Sequence, residues 1–246
     1  MNTEDRMIYK IADTVFSLNT VYKYTHVQLA NYLSEETPEI GIKTTAADID
    51  AGREMFGEEG SDGYIEFLAV LEKLSDYLLC KDTLLFHGSA LSVDGYCCIF
   101  AAPSGTGKST HSRLWRELFG ERVVMVNDDK PFIRIGKPCT VFGSPWDGKE
   151  RLSTNTSFPL RAICFLERSE NNSIEELDPQ EAVALLLAQA YRQGSADKVL
   201  FLVTRLADSV PMYRLRCNMS KDAARLSWSV LSGALYEGDL FPEDTR

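Results

Sequence analysis

The residues best able to do chemistry stand together in Ala102-Pro103-Ser104-Gly105-Thr106-Gly107-Lys108-Ser109-Thr110. Gly105 and Gly107 allow the backbone to turn so that successive N–H groups face one anion. Lys108 is placed to reach the outer phosphates of a nucleotide, and the Ser109 hydroxyl to ligate a magnesium ion bridging them. The full Walker A pattern opens on glycine, where this chain has Ala102. The chemistry implied is nucleotide binding by Ser104, Gly105, Thr106, Gly107, Lys108, Ser109 and Thr110, with ATP and Mg²⁺ as the expected ligands.

A second concentration of function is Val126-Asn127-Asp128-Asp129. Adjacent carboxylates at a strand end are costly unless a cation or a proton compensates them. A magnesium ion at one and a transferable proton at the other answers both. A solvated turn with two acids is the competing reading. A third is Gly143-Ser144-Pro145-Trp146-Asp147-Gly148-Lys149-Glu150-Arg151. Here Lys149 and Arg151 are candidates to hold a transferred phosphate or an acidic substrate group, and Trp146 to shape an acceptor pocket. A salt-bridged surface loop would also explain it.

These residues need positioning elements. The apolar run Tyr96–Ala101 leads into the glycine loop and a helix-compatible segment, His111 to Phe119, follows, so the loop lies between a strand and a helix N-terminus. Leu84 to Val93 and Tyr96 to Ala101 flank Asp94-Gly95, which predicts a hairpin with Val93 opposite Tyr96. That register carries His87 to the mouth of the loop, where it is either catalytic or a structural histidine satisfying a buried backbone group. Arg122 to Val126 reads as a buried parallel strand with its C-terminal end at the loop's edge of the sheet. Strands are expected at Phe132–Ile135, Cys139–Phe142, Arg161–Glu167, Val199–Val203 and Met212–Cys217. Helices are expected at Tyr64–Leu79, after Asp178 with Pro179 in its first turn, and from Ser220 to about Leu235. Ser34 to Asp62 reads as loops and short strands, and His26 as a surface residue. Residues 1–82 form an N-terminal α+β unit in this reading and residues 83–246 the P-loop core.

The charge balance, 26 basic against 36 acidic side chains for a net −10, argues against nucleic acid or an anionic membrane as the main partner. The six cysteines form no C-x-x-C pair and sit mostly in apolar runs, as expected of reduced core thiols. No apolar window approaches the length of a membrane span and no leader is evident. A cytoplasmic protein is the expectation.

Taken together, the His87-Gly88 hairpin, the Ser104–Ser109 loop and the Val126–Asp129 segment resemble the HPr kinase/phosphorylase family, whose nucleotide-binding core is shared with the phosphoenolpyruvate carboxykinases. The resemblance covers roughly Leu84 to Cys217. It implies a mixed central sheet with flanking helices, Asp128 as general base with His87 its neighbour, and Ser109 with Asp129 on the magnesium side. The family's glycine-rich segment after the acid pair is not present, and its phosphorolysis loop is not recognisable near Val210-Pro211. The chain therefore looks closer to stand-alone kinases of this superfamily that phosphorylate serine in a small molecule or a modified peptide. The resemblance also points to a homo-oligomer.

The expectation is thus an ATP-dependent kinase acting on a hydroxyl acceptor, with Asp128, His87 and Lys108 catalytic. The alternatives are a carboxykinase-like or nucleotide-hydrolysing enzyme, and a nucleotide-binding regulator without turnover.

Overall fold

The computed structural model describes residues 7–56, 60–191 and 194–232. Strands β1 (Met7–Ile11) and β2 (Thr14–Asn19) form an antiparallel hairpin that turns at Ala12 and Asp13, both at positive φ. A short helix, α1 (Tyr24–Gln28), and strand β3 (Ile40–Lys43), parallel to β2, follow. Helix α2 (Ala46–Phe56) occupies a stretch expected to hold only loops and short strands. Its start is set by Asp48, whose carboxylate accepts the Thr45 N–H and hydroxyl at 2.8 Å each. Helix α3 (Asp62–Cys80) is capped by Ser61 and buries Ile65, Phe67, Val70, Leu71, Leu74 and Leu78 at helical spacing. His26 is half-buried rather than on the surface, held at 2.7 Å from the Tyr9 hydroxyl and 2.9 Å from that of Thr20.

The large sheet takes in β4 (Thr83–Leu85), β5 (Ser89–Val93), β6 (Tyr96–Ala101), β7 (Val123–Asn127), β8 (Phe132–Arg134), β9 (Thr140–Phe142), β10 (Ser157–Arg168), β11 (Ser173–Glu176) and β12 (Met212–Cys217). Their order is β4-β8-β9-β10-β6-β5-β7, with β12 on β10 and β11 on β12. The expected hairpin forms with Val93 opposite Tyr96. Its first strand, however, is broken into β4 and β5, and Phe86, His87 and Gly88 leave the ladder between them. The close approach of Ile99 Cγ2, 2.7 Å from where a Cβ on Gly88 would sit, requires glycine there. Strand β7 runs parallel to β6 but is not its neighbour, because β5 lies between and pairs antiparallel with both. The parallel neighbours of the sheet are β6, β10 and β12.

Alternation along β6 feeds two cores. Cys97, Ile99 and Ala101 face the cluster that holds α5 (Pro179–Gln189) and α6 (Ala196–Ser209). Cys98, Phe100 and Ala102 face α4 (Lys108–Phe119) and α7 (Lys221–Leu231). Helix α4 buries His111, Leu114, Trp115 and Leu118 on one stripe, and Trp115 packs edge-on against Phe100, Phe119 and Trp228. Truncating Trp115 to alanine would cost about 3–5 kcal/mol. Helix α6 corrects the strand expected at Val199–Val203. Val199, Leu202, Val203 and Leu206 are buried at helical spacing, and Ser195 caps the helix by accepting the Lys198 N–H at 3.3 Å. Helix α5 buries Ala182, Leu186 and Gln189, with Val183, Leu185 and Leu187 partly buried against the same core. The expected extension of α7 to Leu235 lies outside the described residues. Among the described residues no helix is long and apolar enough to cross a membrane.

Candidate functional site

The loop between β6 and α4 turns where the glycines were expected to let it. Gly105 has φ 79° and Gly107 φ 130°. A Cβ at either position would meet nothing within 4 Å, so backbone conformation and not crowding calls for glycine. Helix α4 begins without a side-chain cap. The N–H groups of its first turn are therefore left for an anion, with the positive end of the helix dipole behind them. The Arg168 side chain on β10 donates from Nε to the Thr106 carbonyl at 3.1 Å and from its second nitrogen to the Gly105 carbonyl. The Thr106 N–H is itself taken up by the Pro103 carbonyl at 3.2 Å. Lys108 is buried and donates to the Ala102 carbonyl at 2.7 Å; burial lowers its pKa, with Asp129 acting in the opposite direction.

The acid turn is built on Asn127, which is fully buried at the end of β7. Its Oδ1 accepts the N–H groups of Asp129 at 2.8 Å and Lys130 at 2.6 Å. Its Nδ2 donates to the carbonyl and the hydroxyl of Ser144 at 3.0 Å each, and the Ser144 hydroxyl donates to the Lys130 carbonyl at 2.7 Å. One amide side chain thus joins the acid turn to the loop that follows β9. Asp128 accepts the Gly148 N–H at 2.7 Å, and burial raises its carboxyl pKa. Asp129 pairs with Lys130 and lies 3.6 Å from His87 Nε2.

His87 is placed from its other side. Its N–H donates to the Gln189 carbonyl at 2.9 Å, and its Nδ1 lies 2.9 Å from Gln189 Oε1. Gly88 donates to the Asp129 carbonyl at 3.1 Å. Burial, then the Lys108 charge, lowers the imidazole pKa, so His87 is neutral near pH 7.

One cleft of about 620 Å³ collects these groups: Ser104, Gly105, Gly107, Lys108, Ser109 and Thr110 along one wall, and His87, Asp128, Asp129 and Lys149 along the other. Thr106 faces instead a second cavity of about 650 Å³ on the far side of the loop, whose apolar walls include Leu114, Leu166 and Met219. Arg151 and Trp146 line a third cavity of about 320 Å³ beside the cleft. Trp146 is 2 % exposed, stacks on Phe67 with ring centroids 5.0 Å apart and donates from Nε1 to the Phe67 carbonyl at 2.9 Å. It anchors the loop to α3.

Gln189, Arg168, Asn127 and Asp147 escaped the sequence reading as site residues. Only Asn127 carried a local signal, an amide directly before two acids, which is the side chain suited to fold a turn back on its own N–H groups. Chemically the cleft offers a glycine loop at a helix N-terminus, a buried amine, two carboxylates whose pKa burial raises, Asp128 and Asp147, and a neutral imidazole. Among the described residues no group of three or more His, Cys, Asp or Glu side chains forms a metal cage. Ser109 and Asp129 line this one cleft, and hydroxyl and carboxylate oxygens are the donor types a hard cation takes.

No curated protein matches the chain. Among solved structures the chain is similar to the Hpr(Ser) kinase/phosphatase from Coxiella burnetii, at 11% identity over 60% of this chain and 88% of that one, with a TM-score of 0.35. A likeness that distant carries no argument about the site. A family model described as SynChlorMet cassette protein ScmC matches residues 63–223. That stretch is well over half of the chain and runs from α3 through the glycine loop and acid turn into α7, so the chain belongs to the ScmC family.

Proposed function

We propose that this protein is an ATP-dependent kinase that transfers the γ-phosphoryl group to a hydroxyl acceptor, with serine, free or in a peptide or protein, as the favoured acceptor. The observation that carries the reading is that Lys108 and the start of α4 share one cleft with Asp128, Asp129 and His87. The apolar cavity across the loop, lined by Leu114 and Met219, suits the base of the same nucleotide.

In this reading the loop N–H groups hold the phosphates. Lys108 leaves the Ala102 carbonyl to meet them, since a phosphate oxygen is the stronger acceptor for an ammonium. Ser109 and Asp129 would hold a magnesium ion, whose chemistry is to neutralise charge on the phosphate oxygens. Asp128 takes the acceptor's proton during in-line attack. Its burial makes it a stronger base than an exposed aspartate, while the Gly148 N–H keeps its outer oxygen fixed. His87, neutral and oriented by Gln189, lines the same cleft as Asp128 and would take up the proton that Asp128 releases.

The test is a time course of γ-labelled ATP with Mg²⁺ and a panel of hydroxyl acceptors. Label moving to an acceptor supports the kinase. Label released only as free phosphate would make the protein a hydrolase, and label staying on tightly bound ATP would make it a regulator.

A further inference from the structure

The third cavity lies where the N-terminal residues meet the core. Tyr24 of α1 and Tyr64 and Phe67 of α3 form one side, and the loop from Pro145 to Arg151 the other. Tyr64, Lys130, Asp147, Gly148 and Lys149 line both it and the main cleft, so the two spaces adjoin. Gly148, whose N–H holds the Asp128 carboxylate, stands at their junction. A group seated in the cavity is therefore next to the base proposed above.

Charge identifies that group. Lys130, Lys149 and Arg151 line the cavity against a single lining acid, Asp147. Lys130 is engaged by Asp129. Lys149 and Arg151 are exposed, and among the described residues neither has a carboxylate within ion-pair distance. The loop's other acid, Glu150, is turned to Arg116 at 3.0 Å. Arg151 is also held at φ 51°, a left-handed conformation strained for a non-glycine residue. Its N–H donates to the Gly148 carbonyl at 3.1 Å, closing the turn that carries both cations at this cavity. At about 320 Å³, at the small end of ligand sites, the cavity takes a group of amino-acid size and not a drug-sized one.

We propose that this cavity is the acceptor pocket and that it selects hydroxyl compounds carrying a carboxylate close to the hydroxyl, held by Lys149 and Arg151. This rests on the kinase reading for the identity of the reaction but not for the binding. A free hydroxy acid and the C-terminal residue of a peptide present the same chemistry.

The test is calorimetric titration of the full chain, without ATP, with N-acetyl-L-serine, with N-acetyl-L-serinamide, which lacks only the carboxylate, and with a short peptide ending in serine. The acid is expected to bind about tenfold more tightly than the amide. In the double variant Lys149→Gln/Arg151→Gln the two affinities become equal. Both side chains are exposed, so an unchanged melting temperature checks that the variant is folded. A peptide tighter than N-acetyl-L-serine assigns the pocket to a peptide terminus, and equal affinity assigns it to a small hydroxy acid. Equal binding of acid and amide, no binding of either, or a preference that survives in the double variant overturns the proposal. Acid preference without any phosphoryl transfer would refute the kinase and leave this pocket standing. Transfer to an uncharged alcohol with no acid preference would do the reverse.

Discussion

Replacing Asn127 by alanine tests whether one buried amide holds the acid turn. The side chain is fully buried, and its loss leaves the Asp129 N–H, the Lys130 N–H and the Ser144 carbonyl without their partner. A buried polar group stripped of its hydrogen bond costs about 1–3 kcal/mol. Asp129 and Lys130 are only half-buried, so water can relieve part of that, and the lower end applies to each group. The sum is about 3 kcal/mol, or a fall of about 6–12 °C in Tm for a chain of this size. Ser144→Ala is the internal comparison. It removes the donor to the Lys130 carbonyl while Asn127 keeps the Ser144 carbonyl, and should cost about 1 kcal/mol. Urea unfolding measures both, with the midpoint moving and the slope unchanged. An Asn127→Ala cost below about 1 kcal/mol, or no greater than that of Ser144→Ala, would refute the reasoning.

Other substitutions probe the chemistry. Asp128→Asn should lower phosphoryl transfer by about 10²–10⁴-fold while leaving ATP affinity within a few-fold, and full activity in that variant would remove the base from the mechanism. Lys108→Ala should weaken both ATP affinity and transfer; unaltered ATP binding would take the loop out of the site. Gln189→Ala takes away the partner that raises the His87 pKa, so the acid limb of the rate profile should move to lower pH with little change in KM for ATP. An unmoved limb would make Gln189 a structural residue only. His111 of α4 is buried neutral against Ser227 of α7, its pKa pushed down from 6.5 to about 4 by burial. The unfolded chain therefore binds a proton that the folded one refuses. Stability is fully present above pH 6.5 and lost as pH falls toward 4, by about 3 kcal/mol at most. His111→Gln should flatten the stability profile of the wild type across that window, as read by urea midpoints at several pH values. An unchanged slope would place the acid sensitivity elsewhere.

The parts of the site that were legible in sequence are those whose partners are close in the chain. The Asp94-Gly95 turn set the register of β5 on β6, and Gly105 and Gly107 marked the two places where the loop needs positive φ. The acid pair announced itself at the end of a β-branched run. What sequence could not show is contact across distance. Gln189 reaches His87 from 102 residues away, and the Phe67 carbonyl that anchors Trp146 lies 79 residues before it. No local pattern encodes either. Two elements were misread for local reasons. Val199 to Val203 looked like a strand because β-branched residues frame it, yet the 3,4 spacing continues to Leu206 and decides for helix. In α2, Gly52 and a mostly polar sequence hid a helix whose Thr45–Asp48 cap was the readable sign.

The parallel pairing of β6 with β10, and of β10 with β12, has a consequence for how the protein is made. The β5–β6 hairpin, with β7 returning across α4 to pair with β5, is local and can form as soon as it leaves the ribosome. The outer edge of β6, which carries the glycine loop at its end, stays unpaired until β10 has been synthesised, and the C-terminal half of β10 in turn until β12 emerges. Arg168, which grips the loop, is the last residue of β10. A nascent chain therefore displays an apolar strand edge for much of its synthesis, the kind of edge that recruits other chains. The glycine loop gains its Arg168 clamp only once β10 is in place, so a chain interrupted before β12 leaves the sheet with an open side.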